Sequence, residues 1–404
     1  MTTALNIAFM PLVDASLLIA AHELGFADQE GLALNLIRET SWANIRDRMV
    51  VGHFQAAHML APLPIAGRLG MSSLPLDTIV PMALGLGGNA VTISNRLAGV
   101  IAPDAGQLSG LDAGPAGRVL KANLAKFEKE MGRKLVCGVV HPHSSHNYEL
   151  RYWLNASGID PDQDVEIAIV PPPLMPDAMA AGSVDLFCVG EPWNTVSVAQ
   201  GHGYVFTTKA SIWRSSPEKV LAVSNRFHDN QPETVAALVR SLVQAANWCA
   251  DPDHHVRLAE LLARPHYLDM DPRHVMAALS GQFHDMAGRL VSVPDFFLPA
   301  QRLATFPWQS HALWFYSQMV RWEQTDWDPD MVERVKQTYR PDIYRDALRG
   351  FGVDLPAADM KVEGALADEL PVGSTQGRLF LGPDGFFDGL LFDPSAFVKV
   401  DRDA

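Results

Sequence analysis

The stretch "NAVTISNRL" (89–97) returns as "KVLAVSNRF" (219–227), and this interval of 130 residues decides the fold. A shared Ser-Asn-Arg carries little weight in a chain of 404 residues, but the interval keeps working upstream. "LNIAF" (5–9) falls on "LVCGV" (135–139), and "DRMVVGHFQAAHMLAP" (47–62) falls on "DAMAAGSVDLFCVGEP" (177–192). Asp, Met, Gly and Pro coincide there, at 47/177, 49/179, 52/182 and 62/192. Two copies are too few for a solenoid, which stacks three or more units. A pair of similar α/β lobes is the reading that remains.

Each copy alternates strand, helix, strand, helix, strand. "ALNIAFM" is a short continuous apolar run, the mark of a strand buried on both faces. "DASLLIAAHELGF" carries Leu17, Leu18, Ala21 and Leu24 on one helical face, with Asp14 or Ser16 to start it and Gly25 to stop it. "ALNLI" is a second strand, "SWANIRDRMVVGHF" a helix opening near Ser41, and "AAHML" a third strand. Such alternation implies βα units on a parallel sheet. The predicted fold is a two-lobed clamshell of the type II periplasmic-binding-protein kind, with the chain crossing between lobes at the two quoted stretches. We assign 1–93 to the first lobe, 94–221 to the second and 222–353 back to the first. "PETVAALVRSLVQAANWCADP", "HHVRLAELLAR" and "DPRHVMAAL" supply helices to that last part. Residues 354–404, with "LFLGPDGFFDGLLFDP", form an extension too apolar for a linker and expected to pack on the body.

With 48% hydrophobic residues, the chain has enough apolar side chains for two sizeable cores. Its net charge of −14 argues against direct contact with a phosphate backbone, which needs clustered Lys and Arg. Cys137, Cys188 and Cys249 are odd in number and form no CxxC, so free buried thiols in a reducing compartment are expected. The first basic residue is Arg38, so the amino terminus lacks the positive region of a secretory signal. No run approaches the roughly 20 apolar residues of a spanning helix. A cytoplasmic protein without membrane contact is therefore expected.

Signatures of catalysis are missing: there is no G-x-S-x-G elbow and no P-loop. "LGLGGNAV" (84–91) precedes a strand instead of joining a strand to a helix, so it is no dinucleotide fingerprint. Its glycines, Gly85 among them, would let backbone N–H groups approach a small ligand. Ser16 and His146 correspond at the same interval, each opening a helix after the first strand of its copy. Helix dipoles and free N–H groups favour anions there, with capping as the plainer alternative. Ser145 joins His146 as a secondary candidate. Asn89 and Lys219 match at the hinge and could face the cleft; lysine is otherwise exposed by default. Trp42 either packs in the core or turns its indole N–H to a ligand oxygen. Glu191 in "VGEPWN" ends a strand, where α/β ligands gather, but would repel an anion; a supporting hydrogen bond is its expected part. His141 and His143 have no companion at ligand spacing, so no metal is expected. No cofactor is expected either.

"SWANIRDR", "AAHMLAPLP", "GNAVTIS", "SSHNYELRYWL", "VGEPWN" and "SPEKVLAV" occur in the order found in the nitrate- and bicarbonate-binding proteins of ABC importers. The chain resembles that family over roughly 4–350, and within it the NasS-type cytoplasmic nitrate/nitrite sensors. The resemblance implies a nitrate site made by Trp42, His146 and Lys219. Asn89 stands where the transporter proteins have Gln, which keeps the amide and shortens its reach. Nitrate is an aprotic planar monoanion, so donors and one fixed positive charge suffice, whereas bicarbonate also brings an O–H that needs an acceptor. By resemblance the partner is an RNA-binding ANTAR response regulator of the NasT type, held without ligand and released by nitrate or nitrite. Two alternatives stand beside this sensor: the binding component of a nitrate or bicarbonate importer, and a thiamine-pyrimidine synthase-like enzyme using pyridoxal phosphate on a lysine.

Overall fold

The computed structural model describes residues 2–72 and 74–397. The first half supplies β1 (Thr3–Phe9), β2 (Leu32–Arg38), β3 (Ala56–Leu60) and β4 (Thr78–Ala83), then a short β5 (Leu86–Gly87) and β6 (Asn89–Ser94). The second supplies β7 (Leu135–Val139), β8 (Val165–Ile169), β9 (Leu186–Gly190), β10 (Gly203–Thr208) and β11 (Lys219–Ser224). Two five-stranded sheets result, ordered β2-β1-β3-β11-β4 and β8-β7-β9-β6-β10. Helices cover both, as parallel βα units require.

Each sheet takes one strand from the other half of the repeat. β6 lies antiparallel between β9 and β10, and β11 antiparallel between β3 and β4. The interval of 130 holds in the pairing itself. Ile7 faces Ala56 and Cys137 faces Leu186; Lys219 faces Leu60 and Asn89 faces Gly190. It slips by one residue at the outer strands, where Leu5 faces Leu34 but Leu135 faces Val165.

This pairing moves the expected lobe boundaries. β6 belongs to the second sheet from Asn89 onward, and β11 to the first from Lys219 onward. The crossings therefore lie just before these strands, near 84–88 and 213–218, and not after 93 and 221. The two crossing segments touch: Gly87 N–H donates to the Ser216 carbonyl at 2.9 Å, and Leu84 N–H to that of Lys219 at 2.9 Å.

Local chemistry sets the helix starts. Ser41 caps the helix Trp42–Val50 by accepting from Asn44 N–H, and Ser144 caps Ser145–Ala156 by accepting from Asn147 N–H. Beyond β11, Pro232–Cys249 turns Val235, Leu238, Val239, Leu242 and Ala246 inward at helical spacing, against Ser16–Glu23.

The helix Gln309–Arg321 straddles the lobes, although 222–353 was expected to serve the first alone. Phe315 meets Tyr148 with ring centroids 6.3 Å apart, and Trp314 meets Tyr152 at 6.1 Å, both on the second lobe. The same helix also packs on Pro62–Arg68 of the first.

The tail, as far as 397, packs on the body. Phe386 stacks on Trp213 at 4.6 Å, Arg214 N–H donates to the Gly385 carbonyl at 3.0 Å, and Ser215 Oγ donates to the Pro383 carbonyl at 3.0 Å. Residues 398–404 of the expected extension lie outside the described residues. Among the described residues no helix is long and apolar enough to cross a membrane.

Candidate functional site

The crossing strands begin in the cleft between the lobes, and Lys219 and Asn89 begin them. Both side chains are buried, at 1% and 0% exposure. Lys219 Nζ lies 2.9 Å from Asp14 Oδ2, bonds Glu218 Oε1, and stands 5.5 Å from the centre of the Trp42 ring. Asp14 also takes His58 Nε2 on its other oxygen at 2.8 Å. Met10 N–H donates to His58 Nδ1 at 3.4 Å, which leaves the proton of a neutral ring on Nε2, facing Asp14.

Glu218 is the centre of the cluster. Its carboxylate accepts from Asn89 Nδ2 at 2.6 Å and lies 3.3 Å from His146 Nε2. It also accepts from Ser145 Oγ, Lys209 Nζ and Lys219 Nζ. Four of these five neighbours come from the second lobe: Asn89 on β6, Ser145 and His146 on the first turn of Ser145–Ala156, and Lys209 on Lys209–Ile212. Lys209 further contacts Glu149 Oε1 at 2.9 Å and donates to the Pro217 carbonyl at 2.6 Å. Gly190, opposite Asn89, has no side chain to intrude; a Cβ there would lie 3.2 Å from Asn89 Oδ1 and 3.6 Å from Asp14 Oδ2.

The charges settle in a definite pattern. Burial alone would raise the Glu218 carboxyl, but the ammonium groups of Lys209 and Lys219 overcome it and hold it well below the usual range. Asp14 follows the same logic, with burial outweighed by Lys219 and His58. Burial opposes the Lys219 ammonium, yet Asp14 and Glu218 raise its pKa. Burial drives His146 down to about 3 and Glu149 up to about 8, so both are neutral near pH 7. Two ammonium groups thus face two carboxylates, and the site is balanced without a ligand.

These shifts give an expected pH profile. Glu149 binds its proton more tightly folded than unfolded, so its contribution is lost as pH rises from 4.5 to about 8. Glu191, raised to about 7 by burial, acts in the same direction. His58 and His146, lowered by burial, oppose both below their ordinary value of 6.5. His141, His143, His255 and His311, also lowered by burial, add to that opposition, which is spent only about one pH unit above 6.5. Stability is expected to fall from about pH 7.5 to 8, by at most about 1.4 kcal/mol per pH unit for each carboxyl. Thermal unfolding across that window should show the fall in the wild type and a shallower one in Glu149→Gln. A flat wild-type profile would remove the buried-acid assignment.

The structure brings Trp42, Asn89, Ser145, His146 and Lys219 to one place. Glu191 stands beside it: its carboxylate accepts from Thr195 N–H at 3.1 Å, while its carbonyl accepts from Val13 N–H at 2.9 Å across the cleft. Gly85 needs its freedom for a different reason from the one expected. A Cβ there would lie 2.8 Å from the Phe297 ring, and at Gly87 2.2 Å from the Phe296 carbonyl. These glycines admit the segment 295–298, which pairs with β5. His141 and His143 lie outside the cluster; His143 N–H donates to His141 Nδ1 at 3.0 Å, and its ring meets Tyr148 Oη at 2.9 Å. Among the described residues no group of three or more His, Cys, Asp or Glu side chains could hold a metal ion.

Sequence reasoning missed Asp14, His58, Glu149, Lys209 and Glu218. Asp14 and His58 had a signal, each being a lone polar residue in an apolar run, where burial demands a partner. Glu218 adjoins Lys219 in "SSPEKV", but chain adjacency does not show that both side chains reach one cleft. Nothing local marks Lys209.

Residues 1–263 match the model of the NMT1-like family. The chain is 30% identical over 400 residues to the nitrate/nitrite binding protein NrtA of Synechococcus elongatus, covering 96% of this chain and 83% of that one. It is 34% identical over 354 residues to the nitrate import ATP-binding protein NrtC of Synechocystis sp., covering 86% of this chain but spanning only 50% of that protein's length. The crystal structure of the periplasmic nitrate-binding protein NrtA from Synechocystis superimposes with a TM-score of 0.84, at 25% identity, over 98% of this chain and 96% of that one. With a family match over more than half its length and a relative aligned nearly end to end, the chain belongs to the NMT1-like family, in its NrtA-like group of nitrate- and bicarbonate-binding proteins.

Proposed function

We propose that this protein is a cytoplasmic nitrate- or nitrite-responsive sensor and not an enzyme. It binds the anion between its lobes through Trp42, Asn89, His146 and Lys219. In the manner of the NasS-type proteins it resembles, it sequesters an RNA-binding antiterminator of the NasT type and releases it when the anion binds. The observation that carries the anion reading is the convergence of buried donors from both lobes on a planar carboxylate, that of Glu218. A carboxylate and nitrate share trigonal geometry, so donors that fit one suit the other. Release requires the anion to prefer the free form, and a tenfold shift needs about 1.4 kcal/mol of differential affinity. The three free cysteines, all buried, fit a reducing compartment.

One observation favours bicarbonate in an importer's binding component as a second reading. Glu218 beside Lys219 supplies the acceptor that a bicarbonate O–H would need. The enzyme reading has less support, because Lys219 is held as a charged ammonium by two carboxylates, whereas a Schiff-base lysine must shed its proton. Isothermal titration with nitrate, nitrite, bicarbonate and pyridoxal phosphate separates the three. Nitrate or nitrite binding with a silent bicarbonate titration is the expected outcome; the reverse transfers the protein to the second reading. Co-purification of an ANTAR-domain partner that nitrate elutes tests the sensor role.

A further inference from the structure

The donors that should receive an anion are already occupied by a group belonging to the chain. Glu218 immediately precedes β11 of the first-lobe sheet, yet Asn89, Ser145, His146 and Lys209 of the second lobe hold its carboxylate. Those are cross-cleft contacts of the kind a bound oxyanion makes. We propose that Glu218 is a tethered internal ligand, which closes the cleft in the empty protein and which the anion must displace to bind. This inference rests on the oxyanion reading above and adds the way the site is kept and vacated.

Three observations carry it. First, the polar atoms Glu218 leaves unused are those a freer, three-oxygen anion would use. Trp42 Nε1, beside Lys219, is buried without a hydrogen-bond partner, and so are both ring nitrogens of His146, beside Glu218. A carboxylate fixed to its own backbone offers only two oxygens, and both are taken. Second, the charges of Asp14 and Glu218 already balance Lys209 and Lys219. A third anion added to this buried cluster would lack a counter-charge, which is costly. Withdrawing Glu218 as the anion enters restores the balance. Third, Glu218 lies on the crossing segment, where Ser215 holds a left-handed φ of 60°. Non-glycine residues seldom adopt that conformation, and it concentrates at segments that switch.

Displacement makes the measured affinity a competition, so weakening the competitor should strengthen binding. Glu218→Gln keeps the volume and removes the charge. Its Kd for nitrate, by isothermal titration at pH 7.5, is expected to be at least tenfold lower than that of the wild type. Glu218→Asp, shorter by one methylene, should give a smaller gain in the same direction. A thermal melt establishes that each variant is folded, and if Glu218→Gln is not, Glu218→Asp decides. Wild-type binding of nitrate with an equal or weaker affinity in the folded variant overturns this inference and leaves the oxyanion reading intact. Bicarbonate binding that Glu218→Gln abolishes also overturns it, by making Glu218 an acceptor for the ligand. Silence of both proteins toward nitrate, nitrite and bicarbonate removes the oxyanion reading, and this inference with it.

Discussion

Lys219→Ala is expected to abolish nitrate binding and to lower the unfolding free energy by about 3–5 kcal/mol, the usual cost of stripping one partner from a buried ion pair. From the sequence alone this variant loses the ligand and keeps its stability, since Lys219 then contributes only to the cleft. The structure adds the second loss. Lys219 is 1% exposed and bonds both Asp14 and Glu218, so alanine leaves two carboxylates facing each other without the ammonium between them. Urea unfolding measures the stability term and isothermal titration the binding term. The two separate in a double variant, Lys219→Met with Asp14→Asn, which removes one charge of each sign and leaves Glu218 paired with Lys209. Its stability should return towards that of the wild type, because well-packed neutral replacements of a buried ion pair are often tolerated. Its nitrate binding should not return. Wild-type affinity in the folded Lys219→Ala protein would end the assignment of this lysine.

Phe386→Ala should destabilise the chain by about 3–5 kcal/mol, the range for truncating a buried phenylalanine. Its ring lies 4.6 Å from Trp213, 5.4 Å from Tyr152 and 6.2 Å from Trp314. It thus joins the tail to the second crossing segment, a second-lobe helix and the helix that straddles both lobes. Removing the ring opens a cavity beside three elements whose own aromatic contacts, Trp213 with Trp314 at 4.6 Å and Tyr152 with Trp314 at 6.1 Å, it flanks. Phe386→Leu keeps much of the apolar volume and should recover most of the loss. A change in urea unfolding below about 1 kcal/mol would mean that the tail contributes little to the fold.

The sequence made the lobes legible because its repeat is a repeat of pairing. An interval read from letters reappears as Lys219 facing Leu60 and Asn89 facing Gly190. It did not reveal which sheet receives each crossing strand, since an apolar strand reads alike on either side of a cleft. The helix Gln309–Arg321 escaped notice for a related reason. Every residue from Ser310 to Arg321 is buried, so its polar residues, Ser310, His311, Ser317, Gln318 and Arg321, mark no solvent face. In the site, residues that correspond across the repeat, Asn89 with Lys219 at the hinge and His146 with Ser16 at a helix start, could be named. Their counter-charges could not, because Asp14 and Lys209 reach Glu218 and Lys219 only through the tertiary fold.

The mutual loan of β6 and β11 also bears on how the chain holds together. Neither sheet can be completed by the half of the polypeptide that begins it, because its fourth strand in spatial order arrives from the other half. The lobes therefore look like two bodies but should melt as one cooperative unit. A backbone cut between the repeats would yield two fragments that are each obliged to find the other before either sheet closes.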